Sequence, residues 1–202
     1  MLLYPLSVRL WHLVNGILYL ILIATGLSMQ YSSPERVIRF DIAVNLHNIM
    51  GILLTLNYLL ILVINRFTTN GKFYRIDYKT IMRDMTVQAR YYLFGIFRGQ
   101  KAPYPINAGR KFNPLQLVSY VAVLYFFMPL IFISGWALIF PEVILFKKIF
   151  GTSGIHFIDL VHITTGFVLS IFMVVHFYLC TIGKPAGTHF RAMMTGYHHS
   201  EE

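Results

Sequence analysis

Four histidines stand where an ionisable ring is costly. His12, His47, His162 and His176 each lie inside or at the mouth of a long apolar run. An ionisable group within a membrane span points to function. Imidazole nitrogen binds metals, and two such nitrogens on one iron complete a six-coordinate haem that carries electrons and leaves no site for oxygen. The stretch 155–182, IHFIDLVHITTGFVLSIFMVVHFYLCTI, is the most informative. His162 and His176 are fourteen residues apart, which is about 21 Å along a helix, against a hydrocarbon core about 30 Å thick. Fourteen steps of 100° return to within about 40°, so both rings leave the helix on nearly one face. The spacing predicts two haems stacked across a bilayer.

Composition agrees with a membrane setting. The 202 residues are 56% hydrophobic and 12% charged, about half the charge of a soluble domain. Several apolar runs exceed a membrane-spanning length. The net charge of +9 therefore reads as positive-inside bias, not as a nucleic-acid footprint. Cys180 is the sole cysteine, which excludes an intrachain disulfide, a four-cysteine iron–sulfur site and a structural zinc site. No Cys-x-x-Cys-His is present, which excludes covalent haem attachment. Cys180 itself reads as a small buried hydrophobe.

The expected architecture is all-α: a polytopic membrane four-helix bundle in one domain, 1–202. Its spans fall at about 10–29, 45–64, 115–140 and 155–182, with a loop at 65–113 and a tail at 183–202. The N-terminal run is long enough to span and lacks an A-x-A-like cleavage site. Trp11 and Trp136 read as interfacial residues, and Pro129 as a kink in the third span. The 65–113 loop holds ten Lys/Arg against two acids, Asp77 and Asp84. Residues 77–98 suit either an interfacial helix capped by Asp77 or a solvated basic loop.

With four spans, both termini and that loop share one side, which carries thirteen Lys/Arg. The other side carries four: Arg36, Arg39, Lys147 and Lys148. The imbalance predicts cytoplasmic termini. His47 and His162 then lie toward the outer face, and His12 and His176 toward the inner face. The expected cofactors are two bis-His haems b, held by His47/His162 and His12/His176. Gly16, Gly51 and Gly166 each follow a histidine by four residues, on the same helix face. A missing side chain there admits a flat macrocycle, and it equally admits close helix packing. His156 is rotated about 200° from His176 and reads as a rim residue; His189, His198 and His199 read as solvated tail residues.

The runs VRLWHLVNGILYLILIATGL, LHNIMGILL and VHITTGFVLSIFMVVHFYL resemble the spans of prokaryotic cytochrome b561-type di-haem subunits. Those proteins anchor formate dehydrogenases, nickel–iron hydrogenases and thiosulfate reductases, and the tail TIGKPAGTHFRAMMTGY is most similar to the last group. The resemblance implies an electron-transfer subunit of a respiratory oxidoreductase in a bacterial or archaeal cytoplasmic membrane. It implies an outer redox partner, an iron–sulfur or multihaem protein, and menaquinone or ubiquinone as substrate at the inner face. KFNPLQ (111–116) is similar to the family's quinone stretch, which implies Asn113 and Gln116 as quinone contacts and Lys111 as an aid to proton delivery. Asn113 and Pro114 also make a good helix start. Arg9, one turn before His12, suits a haem propionate or an interfacial anchor. The alternative without haem is a transporter or proton-conducting subunit that uses the histidines as a relay.

Overall fold

Hydrophobic length dictates the architecture. α1 (Leu6–Gln30) starts directly after Pro5, whose carbonyl accepts from the Val8 and Arg9 amides at 3.0 and 3.1 Å. α2 (Phe40–Phe67) ends at Thr68. The Thr68 hydroxyl donates to the Ile64 carbonyl at 2.7 Å and accepts from the Asn70 amide at 3.2 Å, turning the chain into a 3₁₀ helix over Thr69–Tyr74. The short α3 (Ile81–Arg90) follows, continued by a π-helical turn over Tyr91–Gly95.

The third span runs Pro114–Ile139. It comprises α4 (Pro114–Ala122), a π-helical turn over Val123–Phe127 and α5 (Met128–Ile139). Pro129 has no amide to donate and its ring crowds the carbonyl four residues back, so the turn before it widens. A two-strand hairpin, β1 (Lys148–Ile149) with β2 (Thr152–Ser153), leads into α6 (Gly154–Thr181). The short α7 (Thr188–Thr195) comes last.

The structure, a computed structural model, describes residues 4–31, 38–107, 109–144, 146–149, 151–181 and 187–197, without the side chains of Thr188 and His189. Arg36, His198, His199 and the His189 side chain, all weighed above, lie outside that description, as does Lys184, one of the thirteen Lys/Arg counted on the side of the termini.

Among the described residues, four helices are long and apolar enough to cross a membrane: α1, α2, the third span and α6. The protein is a helical membrane bundle. Large apolar side chains such as Leu13, Phe167 and Val174 point outward, as a lipid-facing surface requires. Inside, Leu18, Tyr19, Leu54, Tyr58, Ile61, Leu124, Met128 and Leu169 form one core drawn from all four spans.

Polar clasps tie the spans together. The Trp11 indole donates to the Asn57 carbonyl at 2.8 Å, and the Asn57 amide returns to the Trp11 carbonyl at 3.4 Å. The Trp136 indole, expected at the interface, donates to Thr55 Oγ1 at 3.3 Å on α2.

The loop helix begins later than the sequence suggests. Asp77 accepts from the Lys79 amide at 3.0 Å and the Thr80 hydroxyl at 3.3 Å, forming a polar turn, and regular helix starts only at Ile81. The cap signal was real, but it closes a turn before the helix.

Candidate functional site

The bundle brings the four histidines together in two pairs. The ring centres of His12 on α1 and His176 on α6 are 6.1 Å apart. Those of His47 on α2 and His162 on α6 are 6.2 Å apart. His162 and His176 occupy one unbroken helix, so the two levels are separated by about 21 Å. Leu169, 3% exposed, sits midway between them on α6 and packs into the apolar core.

His47 and His162 are held in matching ways. His47 Nδ1 lies 2.9 Å from Thr25 Oγ1 on α1. His162 Nδ1 lies 3.0 Å from Ser134 Oγ on α5. Thr25 is 0% and Ser134 2% exposed. Each hydroxyl donates back to its own helix, Thr25 to the Ile21 carbonyl at 2.8 Å and Ser134 to the Leu130 carbonyl at 2.8 Å. The residue after each hydroxyl is a glycine against which the imidazole rests. A Cβ on Gly26 would meet His47 Cε1 at 3.5 Å, and one on Gly135 would meet His162 Cε1 at 3.0 Å. The sequence reading passed over Thr25, Gly26, Ser134 and Gly135. The recurring hydroxyl–glycine dipeptide in the first and third spans was the available signal.

The His12–His176 pair is held differently. His176 Nδ1 faces the Tyr120 hydroxyl at 3.4 Å, its ring lies parallel to Phe172 at 5.9 Å, and Cys180 Sγ is 3.9 Å from Nε2. An aromatic series leads away from it toward the loop: Tyr120 to Phe112 at 4.9 Å, then Phe112 to Tyr74 at 5.5 Å.

A family model described as prokaryotic cytochrome b561 matches residues 3–196. The chain belongs to this family. It is 35% identical over 198 residues to the protein named "Putative cytochrome YdhU" of Escherichia coli (strain K12), an alignment covering 97% of this chain and 74% of that one. No solved structure matches it. Family membership makes the protein a multi-pass membrane b-type cytochrome of electron transfer, with haem b as its cofactor and redox proteins as its partners.

The residues of this cytochrome suit that group. Two imidazoles bound on opposite sides of one metal, with bonds of about 2 Å and roughly 1 Å more to each ring centre, stand about 6 Å apart; both pairs have that spacing. Gly16 and Gly51 have nothing within 4 Å of a would-be Cβ, and Gly166 has only Ile131 Cδ1 at 3.8 Å. Open space therefore lies one turn from three of the four histidines. Among the described residues, no three His, Cys, Asp or Glu gather as a metal cage.

The other candidates take varied places. Asn113 and Gln116 form a reciprocal capping box on α4. Asn113 Oδ1 accepts from the Gln116 amide at 3.0 Å, and Gln116 Oε1 accepts from the Asn113 amide at 3.1 Å. Asn113 Nδ2 donates to the Tyr92 hydroxyl at 2.9 Å, tying the third span to the loop.

Lys111, only 5% exposed, donates to Asn70 Oδ1 at 3.0 Å and lies over the Phe73 ring at 4.3 Å. Burial, then the neighbouring Lys72 charge, pull its pKa from the usual 10.5 down to about 8. Arg9 Nε donates to the Met193 carbonyl at 2.9 Å, latching α7 to α1. His156 is exposed beside the Ser153 hydroxyl at 2.9 Å and joins neither pair.

Proposed function

We propose that this cytochrome holds two haems b, one between His47 and His162 and one between His12 and His176, and conducts electrons between an outer redox subunit and quinone at the cytoplasmic face. The observation that carries the reading is the pair of imidazole couples, at 6.1 and 6.2 Å, on two levels of one bundle. Each haem would supply a one-electron ferric/ferrous couple. His47, His162, His12 and His176 would hold the irons, and Gly16, Gly51 and Gly166 would leave room for the macrocycles. The apolar layer of Leu124, Met128 and Leu169 keeps water and protons from following the electrons.

At the inner end, Phe112 and Tyr120 bring the KFNPLQ stretch to within one aromatic layer of His176. That nearness supports a quinone site there, with Asn113 and Gln116 at its edge and Lys111 as proton source. Arg9 provides positive charge on the same side, suited to a propionate. With the termini and the basic loop in the cytoplasm, quinone reduction takes protons from the inside while electrons move inward. Each charge crossing against a potential of 100 mV costs about 2.3 kcal/mol.

A reduced-minus-oxidised spectrum with pyridine haemochrome quantitation tests the reading. We expect two b haems per chain, and one in His176→Ala. A folded, membrane-inserted chain without haem would overturn it.

A further inference from the structure

The first two spans and the last two repeat one device. A hydroxyl–glycine dipeptide, Thr25–Gly26 or Ser134–Gly135, receives a histidine from the following span. That histidine is followed at i+4 by glycine and at i+8 by a hydroxyl bonded to that glycine's carbonyl: Thr55 to Gly51 and Ser170 to Gly166, each at 2.8 Å. The receiving hydroxyls are fully enclosed. The His12–His176 pair is built differently among the described residues. There, His12 has no hydrogen bond to a ring nitrogen among the described residues, and His176 meets a phenol at 3.4 Å.

We propose that Thr25 and Ser134 are positioning residues for the outer histidine pair, fixing ring orientation and proton placement and thereby lowering the reduction potential of the outer centre. The inference rests on the haem reading above. A histidine that binds iron through Nε2 must carry its proton on Nδ1. That proton needs an acceptor within the bundle. The Thr25 and Ser134 protons go to carbonyls of their own helices, those of Ile21 and Leu22 and of Leu130 and Ile131, which turns an oxygen lone pair toward each Nδ1–H. The hydrogen bond raises the basicity of the ligand, and a more basic ligand favours ferric iron. Gly26 and Gly135 let each ring lie against the neighbouring backbone, which leaves it one orientation.

The experiment is a potentiometric titration of the α-band, with low-temperature EPR of the ferric signals. It uses the full chain in lipid nanodiscs as wild type, Thr25→Val, Thr25→Ser, Ser134→Ala and Gly135→Ala. Haem is counted in every sample. We expect two haems throughout and one of the two redox steps moved upward in both Thr25→Val and Ser134→Ala. A tenfold change in ferric against ferrous stability corresponds to 59 mV for one electron. Thr25→Ser keeps the wild-type step. Gly135→Ala alters the EPR signal of the same centre, because its Cβ would stand 3.0 Å from His162 Cε1. If Thr25→Val loses one haem while Thr25→Ser keeps two, positioning is likewise supported. Two unmoved steps, or two steps moved alike, overturn the inference and leave the haem ligands intact. A wild-type chain without haem overturns the underlying reading, and this proposal with it.

Discussion

At the residue scale, each functional group is defined by what holds it. His47→Ala is expected to lower haem from two to one per chain, as His176→Ala does, and the two variants should lose spectrally different centres; difference spectra check this. Lys111 carries a pH signature. Folded it titrates near 8, and unfolded near 10.5. Between those values the unfolded chain binds more protons, so stability rises with pH across the window, and the burial penalty is complete below pH 8. Lys111→Met removes that penalty. We expect the wild type to gain on the variant as pH rises from 8 to 10. Thermal unfolding in detergent across that range measures it, and a pH-independent difference would count against a lowered pKa. Asn113 separates two roles. Asn113→Ala should lose about 1 kcal/mol with the cap, whereas Asn113→Asp keeps the cap. Both should raise KM for a water-soluble quinol if the side chain also contacts quinone.

At the element scale, long contacts between helices set the geometry. Asn57 links the α1 and α2 backbones through Trp11 and reaches Asn15 at 3.4 Å. Asn57→Leu should cost about 1 kcal/mol, seen as a lower thermal midpoint with haem content retained. The third span shows how sequence underspecifies a helix. Pro129 announces an irregularity, but its form, a π-helical turn over Val123–Phe127, depends on how the carbonyls find partners within the packed bundle. Asp77 is similar: the residue that looks like a helix cap closes a turn, because Thr80 takes its second oxygen.

At the scale of the whole molecule, charge asymmetry predicts the orientation of the bundle. Tyr78, 85% exposed in the basic loop, and Val143, 58% exposed after the third span, lie at opposite ends. Introduced singly in a Cys180→Ser background, Tyr78→Cys should react with an impermeant maleimide only in inverted vesicles and Val143→Cys only in right-side-out ones. The reverse pattern would invert the proposed direction of charge movement.

Hydropathy and helical rise alone gave the four spans, the two depths of histidine and the shared face of His162 and His176, because these are one-dimensional properties of each helix. Only the tertiary structure decided what meets those histidines. Thr25 and His47 are 22 residues apart, and Ser134 and His162 are 28. Their contacts depend on the rotation of each helix about its axis and on which helices lie side by side. Both are set by packing across the bundle, where the lipid-facing and buried sides are equally apolar and the local pattern carries no preference.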